Sequence, residues 1–147
     1  MKKIVILFVF LISCTPATTN DTPNEISVEL TYQSLNGDFV NENLSDKSTI
    51  IIFWADYWGI CRQELPVLEV NLDILLNDYD VLALAHSDLE STNYWVKNNL
   101  KGFLKVGLST DEIRNKYKVI GQPLTIILNK RGEVIFREYG YIPINGI

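Results

Sequence analysis

Two cysteines, one histidine and one methionine are the whole supply of sulfur and imidazole in this 147-residue sequence. Cys61 and His86 do not make up a zinc site, which takes three or four protein ligands. Two cysteines also allow at most one disulfide, between Cys14 and Cys61, in a compartment that would permit it. Basic clusters are missing too. Without Lys2 and Lys3 near the start, the 13 basic residues fall to 11 against 18 acids, a net of −7. That balance argues against nucleic acid as a partner, because phosphate neutralisation needs grouped Lys and Arg. No apolar run exceeds the nine residues from Ile4 to Ile12, whereas a spanning helix needs roughly 20. Repeats and low-complexity stretches are absent. With 47% hydrophobic residues and three tryptophans, the chain can bury one good core and is too short for two ordinary domains.

The N-terminus reads as an export signal. Lys2 and Lys3 supply the positive start, Ile4 to Ile12 the apolar segment, and Leu11-Ile12-Ser13-Cys14 the end. This last tetrapeptide resembles the lipobox of bacterial lipoproteins, which implies that Cys14 becomes the new N-terminus and carries lipid; an ordinary cleaved signal with a chance Cys14 is the alternative. Acyl chains contribute about 0.8 kcal/mol per buried CH₂, so attachment would need no membrane-spanning helix. Thr15 to Glu25 is rich in Thr, Asn, Pro and acids and reads as a flexible tether. The expected layout is therefore signal 1–13, tether 14–25 and one domain 26–147.

From Ile26 short apolar runs alternate with turn residues. Val28 to Tyr32 is a strand candidate, and Leu35-Asn36-Gly37-Asp38 a turn. Thr49 to Trp54 and Val81 to Ala85 are almost wholly apolar, as central strands buried on both faces are. Between them, Leu65, Leu68, Leu72, Leu75 and Leu76 predict a helix over 60–76, kinked at Pro66. A helix over 92–100, a weak strand over 105–108 and a short helix over 111–117 capped by Ser109 or Thr110 follow. Leu124 to Leu128 and Glu133 to Tyr139 form a hairpin about Asn129-Lys130-Arg131-Gly132. Crossovers feeding an antiparallel pair predict an α/β domain, a mixed central sheet with helices on both faces.

The chemistry-bearing segment is Phe53-Trp54-Ala55-Asp56-Tyr57-Trp58-Gly59-Ile60-Cys61-Arg62-Gln63-Glu64-Leu65-Pro66. It resembles the TlpA-like and ResA-like branch of thioredoxins, whose pattern is W-A-x-W-C-x-x-C-R-x-E-x-P. Val119-Ile120-Gly121-Gln122-Pro123-Leu124-Thr125 is similar to the same family's loop V-x-G-x-P-T-T, and Asn129 to Val134 to the hairpin after it. The resemblance implies a thioredoxin fold over Ile26 to about Tyr141, a cis bond before Pro123, and thiol-disulfide exchange in the bacterial envelope without metal or cofactor. Partners would be cysteine-containing or unfolded envelope proteins, such as apocytochrome c, or a membrane reductant. The fold normally closes with a helix, and only eight residues follow Tyr139, so the expectation is a missing C-terminal helix and a truncated chain.

One departure outweighs the matches: Trp58 occupies the position of the family's first, nucleophilic cysteine. That cysteine sits at a helix N-terminus, where unpaired N–H groups stabilise the attacking thiolate; the second then resolves the mixed disulfide. With only Cys61 left, the cycle does not close within one molecule. Cys61 is expected to be a deeper, poorly reactive thiol, and Glu64, one turn on, to raise its pKa further. By resemblance Glu64 assists proton transfer; otherwise it is a surface or capping acid. Trp58, Gln122 and Pro123 would line the substrate groove. Trp54 reads as core, Tyr57 as stacking surface or core, and His86 as a loop residue at a strand end where α/β sites lie. The P-x-x-x-T-x-x-C signature of peroxiredoxins is absent. Two functions follow: a redox-class protein with impaired dithiol exchange, or a non-catalytic module binding polypeptide beside Pro123.

Overall fold

The computed structural model describes residues 29–44 and 47–145; the signal segment, Cys14 and its tether lie outside them. Seven strands form one sheet: β1 Glu29–Ser34, β2 Phe39–Asn43, β3 Ser48–Trp54, β4 Tyr79–Ala85, β5 Lys105–Leu108, β6 Leu124–Leu128 and β7 Val134–Tyr139. Their spatial order is β2-β1-β5-β4-β3-β6-β7. The central pairs β3·β4 and β4·β5 are parallel, and every other pair is antiparallel. This is the mixed sheet expected from the sequence.

The apolar runs of β3 and β4 follow from a period of two with both faces covered. Ile50, Ile52, Trp54, Val81, Ala83 and Ala85 point into one core. The intervening Ile51, Phe53, Leu82 and Leu84 point into the other. The first core is closed by α1 Gly59–Val70, α2 Leu72–Leu76 and α3 Leu89–Asn99 through Leu65, Leu68, Leu75 and Trp95. The second is closed by α4 Asp111–Lys116 through Ile113, with Tyr117 beside it.

Several elements differ from the sequence reading. The helix expected over 60–76 is two helices, interrupted at Asn71 (φ −107°, ψ 15°) and continuous through Pro66. The Asn71 side-chain amide donates to the Val67 carbonyl at 2.9 Å, a local bond that competes with helix propagation. Helix α3 starts three residues before the expected Thr92, because the Asp88 carboxylate accepts from the Ser91 N–H at 2.8 Å and caps it. Thr110, rather than Ser109, caps α4 by accepting from the Ile113 N–H. Strand β2 was not foreseen. Its sequence FVNEN is polar and largely exposed, and it is held by β1 and by polar pairs such as Thr31 Oγ1 to Asn41 Oδ1 and Tyr32 Oη to Glu42 Oε2.

The β1–β2 turn places Gly37 at φ 93°, a conformation that suits glycine. Gly107 in β5 allows β1 to come close: a Cβ there would stand 2.5 Å from the Tyr32 ring and 2.8 Å from the Gln33 carbonyl. In the last hairpin the Asn129 side-chain oxygen accepts from the N–H groups of Arg131 and Glu133. Among the described residues no helix follows β7. Residues 141–145 fold back instead: Thr125 Oγ1 donates to the Tyr141 carbonyl at 2.6 Å, and Ile142 joins the first core with Ile144 packed against it. On the outer side of α1 and α2, Val67, Val70 and Ile74 remain exposed.

Candidate functional site

The carboxyl ends of β3, β4 and β5 lie at one end of the sheet, where ligands of open α/β folds bind. The loops that leave them are stitched together by main-chain bonds: the His86 N–H donates to the Trp54 carbonyl and the Ser109 N–H to the Ala85 carbonyl, each at 2.8 Å. The loop before β6 arrives at the same end, because β6 runs antiparallel to β3 with Phe53 opposite Leu124. Trp58, Cys61, Gln122 and Pro123 therefore belong to one end of the molecule, as a site would require.

Trp58 is the residue preceding α1. Its backbone is extended (φ −96°, ψ 121°), its carbonyl accepts the first helical bond from the Arg62 N–H, and its side chain caps nothing. The indole is 46% exposed. Cys61, three residues on in the first turn, is 0% exposed, in the core that holds Trp54, Leu65 and Trp95. The two indoles of that core meet at a tilt of 53°, their ring centroids 5.0 Å apart. Burial pushes the Cys61 thiol above its ordinary pKa; backbone contacts at Ala55 and at its own amide pull the other way, and the charge of Glu64 adds a smaller upward push. Glu64 is half-buried one turn along the helix. A thiol with no exposed surface and a raised pKa offers little thiolate to an incoming disulfide.

The Gln122–Pro123 bond is cis, and Pro123 is buried while Gln122 is half-buried. The Pro123 carbonyl accepts from the Gly140 N–H at 2.8 Å, which ties the loop to the end of β7. Gln122 reaches across to the motif loop, its Nε2 donating to Tyr57 Oη at 3.1 Å. Tyr57, 61% exposed, is thus the residue that joins the two halves of the site; the sequence left it as stacking surface or core. On the far side of the motif loop an open cleft of about 690 Å³ runs from Asp56 and Arg62 to Asp88, Glu90 and Tyr94 on the start of α3. Asp56 is fixed there by Ser87, whose hydroxyl donates to its Oδ1 at 2.6 Å.

His86 is exposed at the end of β4. Partial burial and the nearby Arg114 cation hold its imidazole below the ordinary pKa, with Asp111 opposing them. Among the described residues no three His, Cys, Asp or Glu side chains come together to hold a metal ion, and no helix is long and apolar enough to cross a membrane. The position proposed for lipid, Cys14, lies outside the described residues.

The sequence also missed Glu69. It falls beside the apolar stripe of α1 and is 4% exposed. Its Oε2 accepts from the Lys101 N–H at 2.6 Å, and its Oε1 from those of Gly102, Phe103 and Leu104 at 2.9, 2.9 and 3.1 Å. Burial alone would raise its pKa, but the four N–H donors outweigh it and hold the carboxyl below the ordinary value. An acid on the buried flank of an amphipathic helix was the one visible signal. Glu69 organises the loop before β5 and lies outside the thiol site.

No protein-family model and no curated protein matches the sequence. Solved structures do. The exposed lipoprotein thioredoxin of Streptococcus pneumoniae superposes with a TM-score of 0.67 at 20% identity, over 81% of this chain and 94% of that one. StoA from Bacillus subtilis gives 0.65 at 19% identity over 80% and 92%. A secreted Mycobacterium tuberculosis disulfide oxidoreductase homologous to E. coli DsbE gives 0.57 at 21% identity over 71% and 79%. Across these likenesses one architecture is shared: the chain has the thioredoxin fold.

Proposed function

We propose that this chain is an exported protein of the thiol-disulfide oxidoreductase class whose dithiol exchange is impaired, and that the groove beside Pro123 still binds polypeptide. The observation that carries this reading is the state of Cys61: it has no exposed surface, its thiol is pushed above the ordinary pKa, and Trp58 stands where the attacking cysteine would be. Exchange needs an accessible thiolate and a second thiol to release the product, and Cys61 provides neither. The supports for binding are the exposed Trp58 and Tyr57 rings and the Gln122 side chain that meets Tyr57. Neighbours described as an exposed lipoprotein and as a secreted oxidoreductase support an extracytoplasmic address. In this reading lipid on Cys14 anchors the domain to the membrane, and its partners are cysteine-containing or unfolded envelope proteins, apocytochrome c or a membrane reductant among them.

Insulin reduction tests the impairment. The full chain should reduce insulin disulfides no faster than dithiothreitol alone, whereas Trp58→Cys should cycle through the pair formed with Cys61. Full activity of the natural chain would overturn the proposal.

A further inference from the structure

Thiol chemistry makes no use of the open cleft beside the motif loop. Its walls are Asp56, Tyr57 and Arg62 on the motif side and Asp88, Glu90 and Tyr94 on the α3 side, around a volume of about 690 Å³. Tyr57 and Tyr94 are 61% and 73% exposed. Glu90 and Tyr94 stand one turn apart on α3 and share a face. Tyr57 also ties the cleft to the groove: its ring lines the cleft, while its Oη accepts from Gln122 Nε2 at 3.1 Å, next to the cis bond before Pro123. A polypeptide lying beside Pro123 therefore meets the cleft as it passes Tyr57.

The lining selects the charge of what fits. Three carboxylates, Asp56, Asp88 and Glu90, stand against the single guanidinium of Arg62, a net of −2. The Ser87 hydroxyl donates to Asp56 at 2.6 Å and the Ser91 N–H to Asp88 at 2.8 Å. These neutral donors fix two of the acids without cancelling their charge, and among the described residues none of the three makes an ion pair. Nor do they converge, since no three His, Cys, Asp or Glu side chains among the described residues come together to hold a metal ion. Acids spaced along a cleft that also offers two open rings suit an elongated cation with an apolar stem, and lysine and arginine side chains have that form. The whole chain reinforces the sign, with 18 acids against 13 basic residues, so basic segments are drawn to it.

We propose that the cleft between the motif loop and α3 takes a lysine or arginine side chain of a polypeptide lying beside Pro123, its stem against the Tyr57 and Tyr94 rings and its charge against Asp88 and Glu90. This inference rests on the groove reading and adds a ligand chemistry to it: the favoured polypeptide carries a basic residue where it crosses Tyr57. Glu90 and Tyr94 thereby become specificity residues. A single exposed contact of this kind changes affinity about two- to fivefold, so two or three in one cleft give about tenfold.

The probes are the peptide Ala-Ala-Phe-Ala-Lys-Ala-Lys-Ala-Ala with both ends blocked and the same peptide with Gln, or with Glu, at both Lys positions. Each is titrated into the full chain while NMR follows the Gln122 side-chain amide, which reports the groove, and the Ser91 N–H, which lies in the cleft wall. The expected order of affinity is Lys, then Gln, then Glu, with the Lys peptide about tenfold tighter than the Gln peptide at low salt and shifting both reporters. The preference should shrink at about 0.5 M salt, where exposed charges are screened. Glu90→Lys should abolish it, and Tyr94→Leu, which keeps an apolar contact and loses the ring, should reduce it about two- to fivefold; both positions are exposed, so the amide spectrum away from the cleft should stay as in the natural chain. If all three peptides shift Gln122 with equal affinity and leave Ser91 unmoved, the cleft proposal is overturned and the groove survives. If the Lys peptide moves Ser91 and leaves Gln122 silent, the groove reading is overturned and with it the crossing at Tyr57. If neither reporter moves with any peptide, both are overturned.

Discussion

Glu69→Ala would remove one carboxylate and leave four main-chain donors without their acceptor. The N–H groups of Lys101, Gly102, Phe103 and Leu104 all point at Glu69 across 2.6 to 3.1 Å. A buried donor left unpaired costs about 1–3 kcal/mol, but Lys101, Gly102 and Phe103 are exposed residues and only Leu104 is buried, so water recovers part of that loss. The expected destabilisation at pH 7 is therefore about 2–4 kcal/mol, one full penalty at Leu104 and a fraction of one at each of the three exposed donors, rather than the sum of four full penalties. Glu69→Gln keeps one acceptor oxygen and loses the charge, so roughly half of that cost is expected. The sign of the pH dependence is set by the depressed carboxyl. Its contribution is complete above the unfolded value, about 4.3, and is lost as pH falls through the lower folded value. Urea unfolding of the natural chain and Glu69→Gln at pH 7 and at pH 3 measures this, provided the m-value is common to both. The gap between the two should narrow at pH 3. A Glu69→Ala protein within 0.5 kcal/mol of the natural one at pH 7, or a Gln gap that is independent of pH, would refute the reasoning.

Trp58→Cys should bring insulin reduction above the dithiothreitol background at a change in stability within about 0.5 kcal/mol, because the replaced ring is partly exposed and caps nothing; a folded but inactive variant would place the defect beyond this one residue. Cys61 in the native domain should react with iodoacetamide about 100-fold more slowly than after unfolding, corresponding to an opening cost of about 3 kcal/mol. Its rate should climb only on the alkaline side of the ordinary thiol range, and rapid labelling at pH 7 would contradict the burial. Radiolabelled palmitate should enter the natural chain in bacterial cells and be lost in Cys14→Ser; label that persists in the variant would remove the lipid anchor.

What the sequence determined by itself is the local part. A period of two with both faces apolar marks β3, β4 and β6; a leucine stripe marks the helical stretch that α1 and α2 share; Asn129 and Gly132 mark the last turn; and Trp58, three residues before Cys61, marks the departure from the resembled motif. These signals are legible because each depends on residues a few positions apart. Tertiary structure alone decided the rest. Strand β2 is polar and exists through its pairing with β1. Glu69 meets its donors 32 to 35 residues away, and Tyr57 meets Gln122 across 65. Whether a buried carboxylate is satisfied depends on which distant groups the fold packs around it, and no spacing within one helix encodes that.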